Sequence, residues 1–222
     1  MNKATIGASI VLIVAIIAVS GYGWMTIPED AMLARHWGLS GEADGYSPQD
    51  QILIAMPIGA ILLSVLFALI PKIDPRSGHV RQSNDLLVTS WLGALGLLLV
   101  VHVSIIGPAA AGDFNPPMPG ATLYVVCLMI ILIGNFTAKS RSNFFLGIRT
   151  PWTLSSEHAW SLANRTGGWL FVLTGLSAAA AGAIFGTIEG FKVLIIGALT
   201  AAAASILVSY FAWRSDPERK NP

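Results

Sequence analysis

Charge is what this 222-residue chain has least of: Asp, Glu, Lys and Arg make up 11% of it, against about a quarter in an average soluble domain. With 54% hydrophobic residues, that deficit excludes an ordinary water-solvated globule and points to the bilayer as solvent. The net charge of +1 gives no bulk electrostatic reason to expect a nucleic-acid partner. There is one cysteine, Cys127, set in an apolar run. It excludes an internal disulfide and reads as a small buried apolar residue, so the redox compartment is not legible.

The long apolar runs are themselves free of charge. A bilayer-crossing helix needs roughly 17–25 mostly apolar residues, and six stretches qualify: Ala4–Tyr22, Ile52–Ile70, Leu86–Ile106, Ala121–Ala138, Gly168–Phe185 and Val193–Trp213. None contains Asp, Glu, Lys or Arg. The expected fold is therefore an all-α integral membrane protein, a six-transmembrane-helix bundle. Lys3 before an apolar core, with Ala18-Val19-Ser20 after it, loosely resembles a signal peptide. The run is longer than a usual signal core, which favours an uncleaved anchor.

The basic residues orient the bundle. Lys3, Lys72, Arg76, Arg81, Lys139, Arg141, Arg149, Arg165, Arg214, Arg219 and Lys220 fall on one side, eleven of the thirteen; Arg35 and Lys192 fall on the other. By the positive-inside rule both termini and the second and fourth connections are cytoplasmic. On the external side, Pro28-Glu29-Asp30 predicts a helix running to about Trp37 and stopped by Gly38, and Asp44-Gly45 predicts a turn. Ser47-Pro48-Gln49-Asp50 reads as a serine N-cap launching the second span, within which Pro57 predicts a local kink. Pro71 to Arg76 reads as a proline-bracketed turn, Pro108 to Pro119 as a stiff external loop, and Thr187 to Phe191 as a hairpin between the last two spans. Gly182 and Gly186, spaced as GxxxG, predict close helix packing.

The fourth connection is unlike the others. Phe144, Phe145, Ile148, Trp152 and Leu154 are too apolar to sit free in water, and with Arg149 among them the segment suits the membrane interface. Gly147 permits unusual backbone geometry and Pro151 moves Thr150 out of the helical region. Ser155 then caps a short amphipathic helix with Glu157, Ser161 and Arg165 on one face, and Gly167-Gly168 ends it. The expected shape is an interfacial hook and short helix between helices 4 and 5. Two uses remain open: a clasp sealing the cytoplasmic end, or a recognition surface for a peptide, lipid headgroup or protein.

Catalytic chemistry finds little support. Ser155, Ser156, Glu157 and His158 are too close in sequence for their side chains to converge as a nucleophile–base–acid set, and no cofactor motif is present. His36 with Glu42, Asp44 and Asp50 matches no metal spacing, so a solvated acidic loop is expected. His102 near the outer end of the third span, and Asn135 near the inner end of the fourth, read as helix-to-helix hydrogen bonders. Pro57 and His102 inside the spans keep a small-molecule or ion transporter as the alternative, although no span holds a carboxylate or base for coupling.

Leu132-Ile133-Gly134-Asn135, then Asn143-Phe144-Phe145-Leu146-Gly147-Ile148-Arg149-Thr150-Pro151-Trp152-Thr153-Leu154, Ser156-Glu157, Trp160, Asn164-Arg165 and Gly167-Gly168 resemble the signature of the SdpI family of bacterial membrane immunity proteins. One departure is Asn164, where many members carry histidine. Pro28, His36-Trp37, Gly41, Asp44-Gly45 and Pro71 to Pro75 resemble an accessory domain of unknown function that often precedes this signature. The resemblance implies two units, residues 1–106 with external loop 24–50, and residues 121–213 with signature loop 143–168. It implies a non-enzymatic, multi-pass plasma-membrane protein that protects against, or senses, a secreted antimicrobial peptide or toxin. It also implies signalling by holding a cytoplasmic repressor at the membrane. Asn143, Gly147, Arg149, Thr150, Pro151, Trp152, Glu157, Trp160 and Arg165 are then its recognition residues, and His36, Trp37, Gly41, Asp44 and Gly45 mark the external loop.

Overall fold

Six long helices, each long and apolar enough to cross a membrane, account for most of the computed structural model, which describes residues 3–38 and 40–219. In chain order they are α1 (Lys3–Thr26), α2 (Gln49–Ile73), α4 (Asn84–Ala110), α5 (Gly120–Thr137), α7 (Glu157–Phe185) and α8 (Thr187–Ser215). Between them lie strands β1 (Met32–Trp37) and β2 (Ala43–Pro48) and the short helices α3 (Ser77–Gln82) and α6 (Pro151–Ser155). All six expected spans are present; four run a few residues further at both ends, α5 stops one residue early at Thr137, and α7 starts eleven residues earlier at Glu157.

Helices α1, α2 and α4 pack around Ile16, Ala60, Trp91 and Leu95. Helices α5, α7 and α8 pack around Leu123, Cys127, Ala178 and Leu194, and α4 lies against α5 to join the two groups. The distribution of side chains is that of a membrane bundle. Small and hydroxylated residues such as Ser9, Ser20, Ser64, Ser205 and Ser209 are buried, while Ile184, Ile196, Leu199 and Phe211 are at least 62% exposed. Lipid is as apolar as leucine, so large apolar residues gain little by facing inward; close approach and hydroxyl hydrogen bonds hold such helices together. His102 fits this pattern. It is fully buried, and its Nε2 lies 2.9 Å from the Ser20 hydroxyl, tying α4 to α1.

Glycine sets two of the helix crossings. A Cβ on Gly168 of α7 would stand 2.4 Å from the Gly134 carbonyl oxygen of α5, so these backbones touch. Gly167-Gly168 therefore does not end a short helix, as the sequence predicts; α7 runs unbroken from Glu157 to Phe185. The energetic reason is that membrane packing against α5 outweighs the roughly 1 kcal/mol helix penalty of each glycine. Gly182 packs against Leu123 and Gly190, but its GxxxG partner Gly186 serves another purpose. At φ 101° it is the single residue linking α7 to α8. The expected hairpin at Thr187 to Phe191 is instead the first turn of α8.

The external connection departs most from expectation. Residues 28–37 form no helix: Ala31 N–H bonds back to the Pro28 carbonyl, and β1 then pairs antiparallel with β2 from Met32↔Pro48 to Trp37↔Ala43, with irregular register around His36. A helix of that length has little stability of its own, since nucleation is costly, whereas here a second strand and the 113–118 loop satisfy the backbone and side chains. Asp44-Gly45 lies within β2, and the turn is Gly38 to Glu42, with Gly41 at φ 83°. Pro48, not Ser47, occupies the N-cap of α2, without a side-chain cap, and Ser47 is buried in the strand. Pro57 and Pro71 both lie inside α2, and Pro108 lies inside α4, so those connections begin later than expected.

Candidate functional site

The end of the bundle that carries most of the basic residues is closed by the loop between α5 and α6. Its shape comes from side chains bonding to backbone. Buried Asn143 accepts from Phe145 N–H (3.0 Å) and Leu146 N–H (2.7 Å) and donates to the Arg141 carbonyl (2.8 Å), a local turn of the kind asparagine favours. Gly147 follows at φ 90°, and a Cβ there would meet Asn164 Oδ1 at 2.5 Å. Thr150 is extended before Pro151, as expected, and forms a reciprocal capping box with Thr153 that starts α6.

Two α7 residues hold this hook from beneath. Asn164 accepts from Ile148 N–H (2.7 Å) and donates to the Ile148 and Trp160 carbonyls; Trp160 Nε1–H donates to the Ser140 carbonyl (3.0 Å). Ser156, not Ser155, caps α7 by accepting from Ala159 N–H, while Ser155 donates back to the Pro151 carbonyl. The expected short amphipathic helix is thus the start of the long α7, with Glu157, Ser161 and Arg165 on its exposed face and Trp160, Ala163 and Asn164 buried.

A second set of contacts ties the hook to the turn between α2 and α3. Asp74, 3% exposed, accepts from Arg76 N–H (2.6 Å) and from Phe144 N–H (2.9 Å) across the bundle. Arg76 donates to Ser142 Oγ (2.9 Å) and the Leu154 carbonyl (3.0 Å), lies over the Phe144 ring and approaches Glu157 at 3.9 Å. His79 Nδ1–H donates to the Ser142 carbonyl (2.7 Å), and Ser142 Oγ donates to Glu157. Arg141 N–H reaches Ser83 Oγ at 2.9 Å. Apolar packing continues the join, with Leu146 of the hook set among Ile70, Val80, Leu86 and Leu87.

Ser142, His79 and Glu157 meet here, yet their order is wrong for an activated serine. A nucleophilic hydroxyl gives its proton to a base that a third group orients; Ser142 instead donates to the carboxylate, and the histidine is spent on a carbonyl. The arrangement locks segments together. The carboxyl tail joins it too: Ser156 Oγ donates to Asp216 Oδ2 (2.5 Å), and that bond, with Glu218 N–H, holds the Asp216 carboxyl below the usual carboxylate range.

The structure separates the expected site residues. Asn143 and Trp160 are buried and bonded inward. Thr150 Oγ1 reaches Ser209 of α8 (3.0 Å), and Trp152 packs edge-on against Tyr210, centroids 5.2 Å apart. Arg149 is exposed and closes the hook by donating to the Phe144 carbonyl at 2.5 Å, and Glu157 joins the Arg76 cluster. Arg165 lies two turns along α7, away from that cluster. Asp74, Arg76, His79 and Ser142 carry the join; the sequence places Asp74 and Arg76 in a turn without a site role and leaves His79 and Ser142 without one. The signal for them was Asp74, an acid between Ile73 and Pro75 next to an apolar span.

At the opposite end the hairpin packs on the α4–α5 loop. Trp37 Nε1–H donates to the Pro116 carbonyl (2.8 Å), the Tyr46 hydroxyl to Asn115 (2.6 Å), and Met118 N–H to the Gly41 carbonyl (3.0 Å). Gly45 sits against His36, where a Cβ would meet the His36 Cβ at 2.9 Å. His36 Nδ1 pairs with Asp44 at 2.5 Å; among the described residues no group of three or more potential metal-binding His, Cys, Asp or Glu forms there or elsewhere. Among the described residues Asn135 makes no bond across helices; it accepts from Lys139 (3.3 Å) in an exposed groove.

Fold and loop together define a six-span membrane protein whose basic end is folded into a clasp. Residues 139–210, which include the hook, match the model of the SdpI/YfhL protein family. The chain is also 27% identical over 137 residues to the immunity protein SdpI of Bacillus subtilis (strain 168), a match covering 60% of this chain and 58% of that protein. The two matches support an SdpI-family protein. The chain spans less than two thirds of that relative's length. No solved structure matches the chain.

Proposed function

We propose that this protein gives its cell immunity to a secreted antimicrobial peptide or protein toxin, or senses one, from a bacterial plasma membrane with both termini cytoplasmic. The orientation is supported by the basic residues gathered at the clasp end. Residues 1–106 act as the accessory unit and present the hairpin, marked by His36, Trp37, Gly41, Asp44 and Gly45, to the outside. Residues 121–213 act as the SdpI-like unit. The toxin meets the hairpin end or the bundle surface, and the clasp end answers by docking a cytoplasmic partner, a transcriptional repressor in the signalling form of this reading.

The observation that carries the reading is the hook: the residues that resemble the family signature are those that build and brace it. Asn143, Gly147, Thr150 and Trp160 give it shape, while Arg149, Pro151, Trp152 and Glu157 offer the surface. Arg165 flanks this surface from α7. We assign no catalytic step, cofactor or metal.

Expression in a toxin-sensitive bacterium challenged with candidate peptides tests this. Survival should rise with the intact chain and fall at least tenfold with Arg149→Ala or Trp152→Ala at equal membrane abundance. Full protection by both variants would sink the site assignment.

A further inference from the structure

Alongside the clasp, α5 and α7 enclose a groove of about 330 Å³ that shares only Arg165 with the recognition surface proposed above. Its rim carries Asn135, Lys139, Ser161 and Arg165, its floor is Gly134 and Gly168 where the two backbones touch, and Trp169 stands on its membrane side, 62% exposed. Among the described residues, no acidic side chain lines it. Lys139 donates to Asn135 and lies over the Phe136 ring, while the exposed Arg165 has no hydrogen-bond or ion-pair partner among the described residues, so its guanidinium fork is open to a ligand.

Its depth in the membrane follows from helix geometry. Arg165 lies twenty residues before Phe185, the last residue of α7, which is about 30 Å along the axis and matches the thickness of a bilayer's hydrocarbon core. With Phe185 at one interface, Arg165 lies at the other, at the level of lipid phosphates. α5 is the shortest of the six spans, 18 residues, so its carboxyl end with Asn135, and Lys139 two residues past that end, meet Arg165 there rather than out in water.

We propose that this groove binds the phosphate of an anionic phospholipid. Arg165 and Lys139 grip the phosphate, Asn135 and Ser161 donate to its remaining oxygens, and an acyl chain descends past Trp169 and Val172. The carboxyl end of α5 alone would attract a cation, through its dipole; the two side-chain charges reverse that, and Arg165, free of other bonds, contributes more of the grip. Lipid binding here requires only that the bundle lies in a bilayer, with or without a toxin.

The test is native mass spectrometry of the full chain in detergent, titrated with dioleoylphosphatidylglycerol, with dioleoylphosphatidylcholine, and with inorganic phosphate. The intact protein should retain phosphatidylglycerol, and K139Q/R165Q should retain at least fivefold less while unfolding at the same temperature. Arg165→Lys should keep most of the binding. Ser161→Glu, which places an acid at an exposed rim position, should lose it without altering the fold. Equal retention by the intact and doubly substituted protein overturns the proposal, as does equal retention of phosphatidylcholine. Displacement of lipid by millimolar phosphate overturns the lipid assignment in favour of a soluble phosphate. Toxin protection is read separately, so the two proposals fail independently.

Discussion

Asn164 and Gly147 meet where the hook rests on α7, and a change at either should be destabilising. Gly147→Ala places a Cβ at a backbone angle that costs L-residues about 1–2 kcal/mol and against the Asn164 side chain; the loss should appear as a lower unfolding temperature in detergent. Asn164→Ala leaves Ile148 N–H unsatisfied, at about 1–3 kcal/mol, by the same measurement. Asp216 predicts a pH dependence. Its carboxyl is held below its ordinary value by Ser156 and Glu218, so its contribution is present above the usual carboxylate range and is lost as pH falls through the lowered value. The difference in unfolding temperature between the intact protein and Asp216→Asn should therefore persist at neutral pH and vanish in strong acid. At this scale the sequence was partly legible. Gly147 and Thr150-Pro151 announce their geometry through residue type, because glycine and proline constrain the backbone wherever they stand. Asn143, Asn164 and Asp74 look like surface residues until their distant backbone partners are known.

Among the elements, length and apolarity carried the six spans, since a bilayer demands about twenty apolar residues whatever the neighbours. Connections were harder to read. The hairpin depends on pairing between two six-residue strands and on a loop some 70 residues away, and none of that is local. Gly167-Gly168 carries the same ambiguity, because a glycine pair reads equally as a stop or as a packing surface, and only the facing Gly134 decides. Gly168→Leu should therefore separate α5 from α7 rather than lengthen a helix. Overpacking at that contact should cost about 1–3 kcal/mol, read as reduced thermal stability with helix content by circular dichroism unchanged.

Across the whole molecule, the clasp is where the two helix groups hold each other away from the bilayer interior. Asp74 bonds to Phe144, Arg76 to Ser142 and Leu154, and Ser83 to Arg141. Removing Asp74 as Asp74→Ala strips the part-buried Arg76 and Phe144 N–H groups of a charged acceptor, at up to about 1.5–3 kcal/mol for each charge-assisted bond. Protease sensitivity between residues 141 and 150 should rise while the α5–α7–α8 core stays protected. None of this joining was legible from composition, because it rests on few polar residues in a chain with few to spare.

Gly186 leaves α7 and α8 joined by one residue. Two helices of 29 residues each then lie side by side along their length, with Gly190 on Gly182 beside the link, Gly197 on Thr174 midway and Gly167 on Ser205 toward the clasp. The tip of the β-hairpin rests beside that link, with Gly41 against Ile188. A pair knit by small residues over about 44 Å is a single two-helix strut rather than two independent rods, so any tilt imposed at the hairpin end would carry the Thr150–Ser209 and Ser156–Asp216 bonds with it.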